Sequence, residues 1–75
     1  ADNTYKALSV TARRYNKKKR RVEYLVTWFT TTGDDSTTWE PKSHVLPDFA
    51  TEVSVLDQTA SLTKSKGVVR LRELL

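Results

Sequence analysis

The alternation of apolar and polar residues is sharpest from Val22 to Phe29. There Val22, Tyr24, Val26 and Trp28 fall on one face of an extended chain, and Leu25 and Phe29 weight the other. Apolar groups on both faces predict a central strand covered on two sides. Upstream, Tyr5, Ala7, Val10, Ala12 and Tyr15 are spaced for another strand, but the alternation is imperfect. That strand is expected to be bulged or to run partly along an edge. Asn16 to Lys19 holds nothing apolar and opens on an asparagine, which tolerates left-handed backbone, so it reads as the turn between the two. Thr30 to Ser36 is a polar loop with Gly33 at its positive-φ position. Thr37 to Glu40 is a short third strand rich in threonine, and Pro41 ends it because proline cannot donate to a ladder.

Past Lys42 to Leu46, read as a connector, Pro47 sits where a first helical residue would, pre-set in φ. Phe49, Val53, Leu56 and Ala60 then recur at four, three and four residues, a helical stripe. Thr51, Val53 and Val55 weaken intrinsic helicity, so this helix must lean on the sheet. Thr63 to Gly67 breaks the pattern. Beyond it, Val69 and Leu71 alternate as in a strand, while Val68, Leu71 and Leu75 fit a helix equally well. The pattern predicts an α+β domain, a three-stranded curled antiparallel sheet packed by a C-terminal helix. It forms a single domain over residues 1–75, with a core at 5–62 and a tail at 63–75.

At 75 residues the chain buries only about 60–65% of its unfolded surface, so its seven aromatic residues must carry much of the core. It has no cysteine, which excludes disulfides and thiolate zinc sites and suits an intracellular protein. No apolar run approaches the roughly 18 residues of a membrane span, and no signal peptide is visible, so no membrane partner is expected. The chain has no methionine even at its start, as expected of a domain cut from something longer.

The net charge of +4 conceals an asymmetry. Arg13, Arg14, Lys17, Lys18, Lys19, Arg20 and Arg21 crowd into nine positions, leaving six basic and nine acidic residues elsewhere, a net of −3. A basic tip on a mildly acidic body implies an anionic partner.

Catalytic chemistry finds little support. His44 stands alone without cysteine or clustered carboxylates, so a metal site lacks ligands. Asp34 and Asp35 sit side by side in a polar loop, a turn rather than an acid–base pair. No nucleophile triad, phosphate loop or cofactor motif is present. The expectation is a binding module, not an enzyme.

Tyr24-Leu25-Val26-Thr27-Trp28, a polar loop, and Thr38-Trp39-Glu40-Pro41 together resemble the core signature of the chromodomain. Tyr5 precedes the Arg13-Arg14 pair at the spacing of that family's first strand, and the predicted helix falls where the family has one. The resemblance covers roughly residues 5–62. It implies a nuclear, chromatin-targeting module that takes a histone tail as an inserted strand, between its N-terminal segment and the stretch after the third strand. The tail's methylated lysine would sit in a cage of three aromatics. Strand addition satisfies backbone groups, and a desolvated cation over ring faces gains about 2 kcal/mol. Carried over by position, Tyr5 and Trp28 are cage walls, Thr31 stands where the third ring belongs, and Glu40 and His44 face the peptide. His44 replaces an asparagine that bonds the peptide backbone in the heterochromatin-protein type, and the loop between the tryptophans is one residue longer. Phe29 follows Trp28 directly and should face away from the cage. Trp39 is the family's structural tryptophan and is expected in the core.

Two other readings stand beside this one. The basic residues from Arg13 to Arg21 could tether the domain to DNA, RNA or a nucleosome without reading sequence. The incomplete cage also resembles those of chromodomains at the C-termini of certain retrotransposon integrases, which direct or tether an enzyme to chromatin, sometimes without evident methyllysine reading. The apolar tail from Val68 to Leu75 could build a weak dimer, in place of a monomer.

Overall fold

The computed structural model describes residues 6–29, 36–64 and 67–71. Its elements are strands β1 (Lys6–Asn16), β2 (Arg21–Phe29) and β3 (Ser36–Pro41), helices α1 (Lys42–Val45) and α2 (Ala50–Thr63), and strand β4 (Val69–Arg70). All pairings are antiparallel, in the order β3-β2-β1-β4.

The sheet thus has four strands, not the three expected. After α2 the chain returns along β1, where Val69 and Arg70 pair with Arg13 and Ala12. This resolves the strand-or-helix ambiguity of the tail for Val69 and Arg70. Val69 is buried and Leu71 packs against the core, so pairing to β1 hides two apolar side chains at once. Val69 to Leu71, the N-terminal part of the proposed dimer segment, is therefore engaged within its own chain.

β1 carries the anticipated irregularities, register shifts at Ala7/Ser9 and at Val10/Ala12. They let one long strand curl across the sheet while keeping Val10 and Ala12 both buried. The turn after it closes through a side chain. Asn16 Oδ1 accepts from the backbone N–H of Lys18 at 3.0 Å and of Lys19 at 3.2 Å, and Arg20 takes the left-handed φ of 53°. Asparagine makes this turn by capping it, while the positive φ falls four residues later.

α1 fills the segment expected to be a connector, and its Val45 is buried. Pro47 does not start the long helix. It lies in the turn after α1 and its carbonyl accepts from Ala50 N–H, so α2 begins three residues later. The helical stripe holds: Val53, Leu56 and Ala60 are buried, and Phe49 packs beside them. They meet Val10, Tyr24, Val26, Val45 and Val69 to form the core.

The second tryptophan corrects an expectation. Trp39 pairs with Leu25 across the β2–β3 ladder, on the face of the sheet opposite Tyr24 and Val26. It is half-buried there, with the Arg14 guanidinium 4.3 Å from its ring centroid. The cover predicted for that second face is thus a cation stacked on an indole, worth about 0.5–1 kcal/mol, and not an apolar layer.

Candidate functional site

Trp28 pairs with Ser36, Val26 with Thr38 and Tyr24 with Glu40. Directly opposed residues share a face, so Trp28, Ser36, Thr38 and Glu40 all rise on the core side of the sheet. They run along the β2–β3 ladder from Trp28 and Ser36, at the end farthest from the basic turn, to Glu40 opposite Tyr24. They line an open pocket of about 270 Å³. Trp28 packs partly against the core, which leaves it half-buried.

A chain of hydrogen bonds fixes the pocket wall. Trp28 Nε1–H donates to Thr38 Oγ1 at 2.7 Å, and Thr38 in turn donates to Glu40 Oε2 at 2.7 Å. Glu40 Oε1 meets His44 Nδ1 at 2.8 Å. The His44 ring and the Thr38 hydroxyl hold the Glu40 carboxyl below its ordinary range, against a smaller opposing effect of burial. An ionised carboxylate only accepts, so His44 carries its proton on Nδ1, and in the neutral ring Nε2 is an acceptor. The site offers one indole face, one anion and one exposed imidazole. This combination suits a cation with an extended chain attached.

Trp28, Glu40 and His44 are thus brought together through Thr38. Tyr5, Thr31, Asp34 and Asp35 lie outside the described residues. Phe29 is 53% exposed and pairs with Lys6 on the opposite face, so it is no third wall for the Trp28 pocket. Thr38, which couples Trp28 to Glu40, was not anticipated. Its two-residue spacing from Glu40 in a strand facing Trp28 was the available signal.

The basic tip divides in two. Arg13 donates through Nε to Asp57 Oδ1 at 2.8 Å. Arg14 and Arg21 converge on Glu23: Arg14 Nε and Nη2 reach Oε1 at 3.1 and 3.0 Å, and Arg21 Nε and Nη2 reach Oε2 at 2.9 and 2.8 Å. Asn16 Nδ2 adds a bond to Oε1 at 3.0 Å. Burial would by itself raise the pKa of Glu23. The bonds from Asn16, Arg21 and Arg14 outweigh it and hold the group at about 2. Glu23 is 1% exposed, so burial is the largest single effect on it, and only the bonds taken together overcome it.

Three of the seven predicted nucleic-acid contacts therefore have internal carboxylate partners. The other four, Lys17, Lys18, Lys19 and Arg20, are exposed and have no acidic partner among the described residues. Glu23 and Asp57 were missed from sequence. Each breaks an apolar pattern: Glu23 shares the strand face that Leu25 and Phe29 weight, and Asp57 falls within the stripe that Val53, Leu56 and Ala60 define.

Comparison with known proteins returns no family model, no curated protein and no solved structure that matches the chain.

Proposed function

We propose that the domain is a nuclear, chromatin-targeting binding module that docks an extended, lysine-methylated histone tail, with the methylammonium in the Trp28–Glu40 pocket. The observation that carries this reading is the Trp28–Thr38–Glu40–His44 chain around an open pocket. A methylammonium presents carbon-bound hydrogens to the indole and positive charge to the carboxylate, so both walls favour the same guest. The His44 acceptor takes the part of a side chain that bonds the peptide backbone. The tail lies extended beside Glu40 of β3 and His44 of α1. No catalytic step is part of this function. With one ring and one carboxylate among the described residues, affinity is weaker than a three-ring cage gives.

The test is a fluorescence titration of the Trp39→Phe variant, in which Trp28 is the sole tryptophan reporter. Histone-tail peptides that differ only in lysine methylation serve as ligands. A saturable change with the methylated peptide, and a markedly weaker one without methylation, is expected. Equal responses, or none, contradict the proposal.

A further inference from the structure

We propose that the turn between β1 and β2 is a phosphate-backbone contact for duplex nucleic acid, made by Lys17, Lys18, Lys19 and Arg20. The partition of the basic cluster carries this inference. The strand arginines Arg13, Arg14 and Arg21 each meet a carboxylate at 2.8–3.0 Å, whereas the four turn residues meet none among the described residues. The fold thus neutralises the cations it needs internally and displays the rest.

The display is ordered. Asn16 Oδ1 ties down the backbone of Lys18 and Lys19, and Arg20 is fixed in the left-handed region, so four consecutive cations share one tight turn. Four like charges this close repel one another, and a polyanion relieves the repulsion. Beside them lies a shallow concavity of about 350 Å³, lined by Arg14, Tyr15, Asn16, Lys17 and Lys18, which gives a phosphate strand a seat.

A phosphate backbone fits better than a lipid surface. Within residues 13–22 only Tyr15 is an exposed large apolar side chain, at 49%. A surface-binding element needs a broader apolar face to enter the headgroup layer. The turn brings no helix or ribbon face to a groove, so contact is to phosphates and indifferent to sequence. The turn and Trp28 lie at opposite ends of β2, and the concavity at the turn shares no lining residue with the Trp28 pocket, so both sites can be filled at once.

The test measures binding of the 75-residue chain to a labelled DNA duplex by anisotropy across a salt series. Four phosphate contacts predict a slope of log K on log salt of about −3 to −4, and hence roughly 100-fold weaker binding between about 50 and 200 mM salt. The combined Lys17→Gln, Lys18→Gln, Lys19→Gln, Arg20→Asn variant is expected to lose duplex binding and its salt slope while keeping its thermal melt and any peptide response. Should that variant fail to fold, Lys18→Glu and Lys19→Glu are each expected to lower the slope by about one or more. A parent chain that does not bind duplex overturns the proposal, as does a variant that binds as tightly as the parent. So does tighter binding to phosphatidylserine vesicles than to duplex. Because the peptide response is read separately, loss of one site is distinguishable from loss of the other.

Discussion

The hydroxyl of Tyr24 donates a 2.6 Å hydrogen bond to Asp57 Oδ1, joining the centre of the sheet to the middle of α2. Arg13 of β1 shares that oxygen, and Lys42 of α1 binds Oδ2 at 2.8 Å. One carboxylate therefore links β1, β2 and α1 to the helix that covers the sheet. Burial alone would raise its pKa, but Lys42, Tyr24 and Arg13 bring it below its ordinary value. Burial, followed by the Asp57 bond, raises the pKa of Tyr24 in turn.

Replacing this carboxylate should cost much of the stability of so small a domain. Asp57→Ala strands the Tyr24 hydroxyl and leaves two cations unpaired, an expected loss of about 2–3 kcal/mol. That corresponds to a fall in melting temperature of roughly 10–20 °C for a chain of this size. Asp57→Asn, which keeps an acceptor, should lose less. Calorimetry on the two variants checks both magnitude and order.

Acid should loosen the outer face of the sheet. Glu23 has an ordinary pKa of 4.5 and a folded value of about 2. A depressed carboxylate pKa contributes stability that is present above the unfolded pKa and lost as pH falls through the folded one. The contribution is on the order of 3 kcal/mol, and its loss spans the window from about 4.5 down to about 2. Asp57 acts in the same direction. Urea denaturation at successive pH values should show this decline, and Glu23→Gln should flatten it while lowering stability at neutral pH.

These two carboxylates also mark where sequence reasoning succeeded and where it stopped. The period-two pattern placed β2, and the period of the helical stripe placed α2, because burial of Val26 or Leu56 depends on nearest-face geometry alone. The tail was undecided because its strand character comes from pairing with β1, more than fifty residues upstream, and two residues carry little local pattern. Trp39 was misassigned because a large aromatic can be covered by an arginine as well as by a core. Of the residues singled out in the sequence, Trp28 and Glu40 line one pocket and His44 bonds to Glu40. The committed arginines were not legible, since the partners of Arg13, Arg14 and Arg21 follow from β-register and helix docking, which charge counting does not see.

The short β4 strand should contribute to stability through burial rather than through its few ladder bonds. Val69 is 7% exposed, and Val69→Ala removes two buried methyl groups, at an expected cost of about 1–2 kcal/mol. Val68→Ala, a neighbour at 38% exposure, should cost less than about 0.5 kcal/mol. Paired chemical denaturation curves separate the two.

Peptide docking should depend on the two pocket walls unequally. Trp28→Ala removes a ring contact worth about 2 kcal/mol, roughly 30-fold in affinity. Glu40→Gln keeps an acceptor for Thr38 but removes the charge from a partly exposed site, about 1 kcal/mol or fivefold. Calorimetric titration of each variant with the methylated tail checks the ranking, with Phe29→Ala as a control expected to bind as the parent does.

The most direct measurement is an amide and indole chemical-shift titration of the labelled chain with methylated and unmethylated forms of one histone-tail peptide. The account predicts that the methylated form moves the Trp28 indole N–H resonance, along with the amides of Thr38, Glu40 and His44. The Trp39 indole should stay in place, and the unmethylated form should shift the same signals only at much higher concentration. Identical shifts for the two peptides, or perturbations confined to Lys17–Arg20, would contradict it.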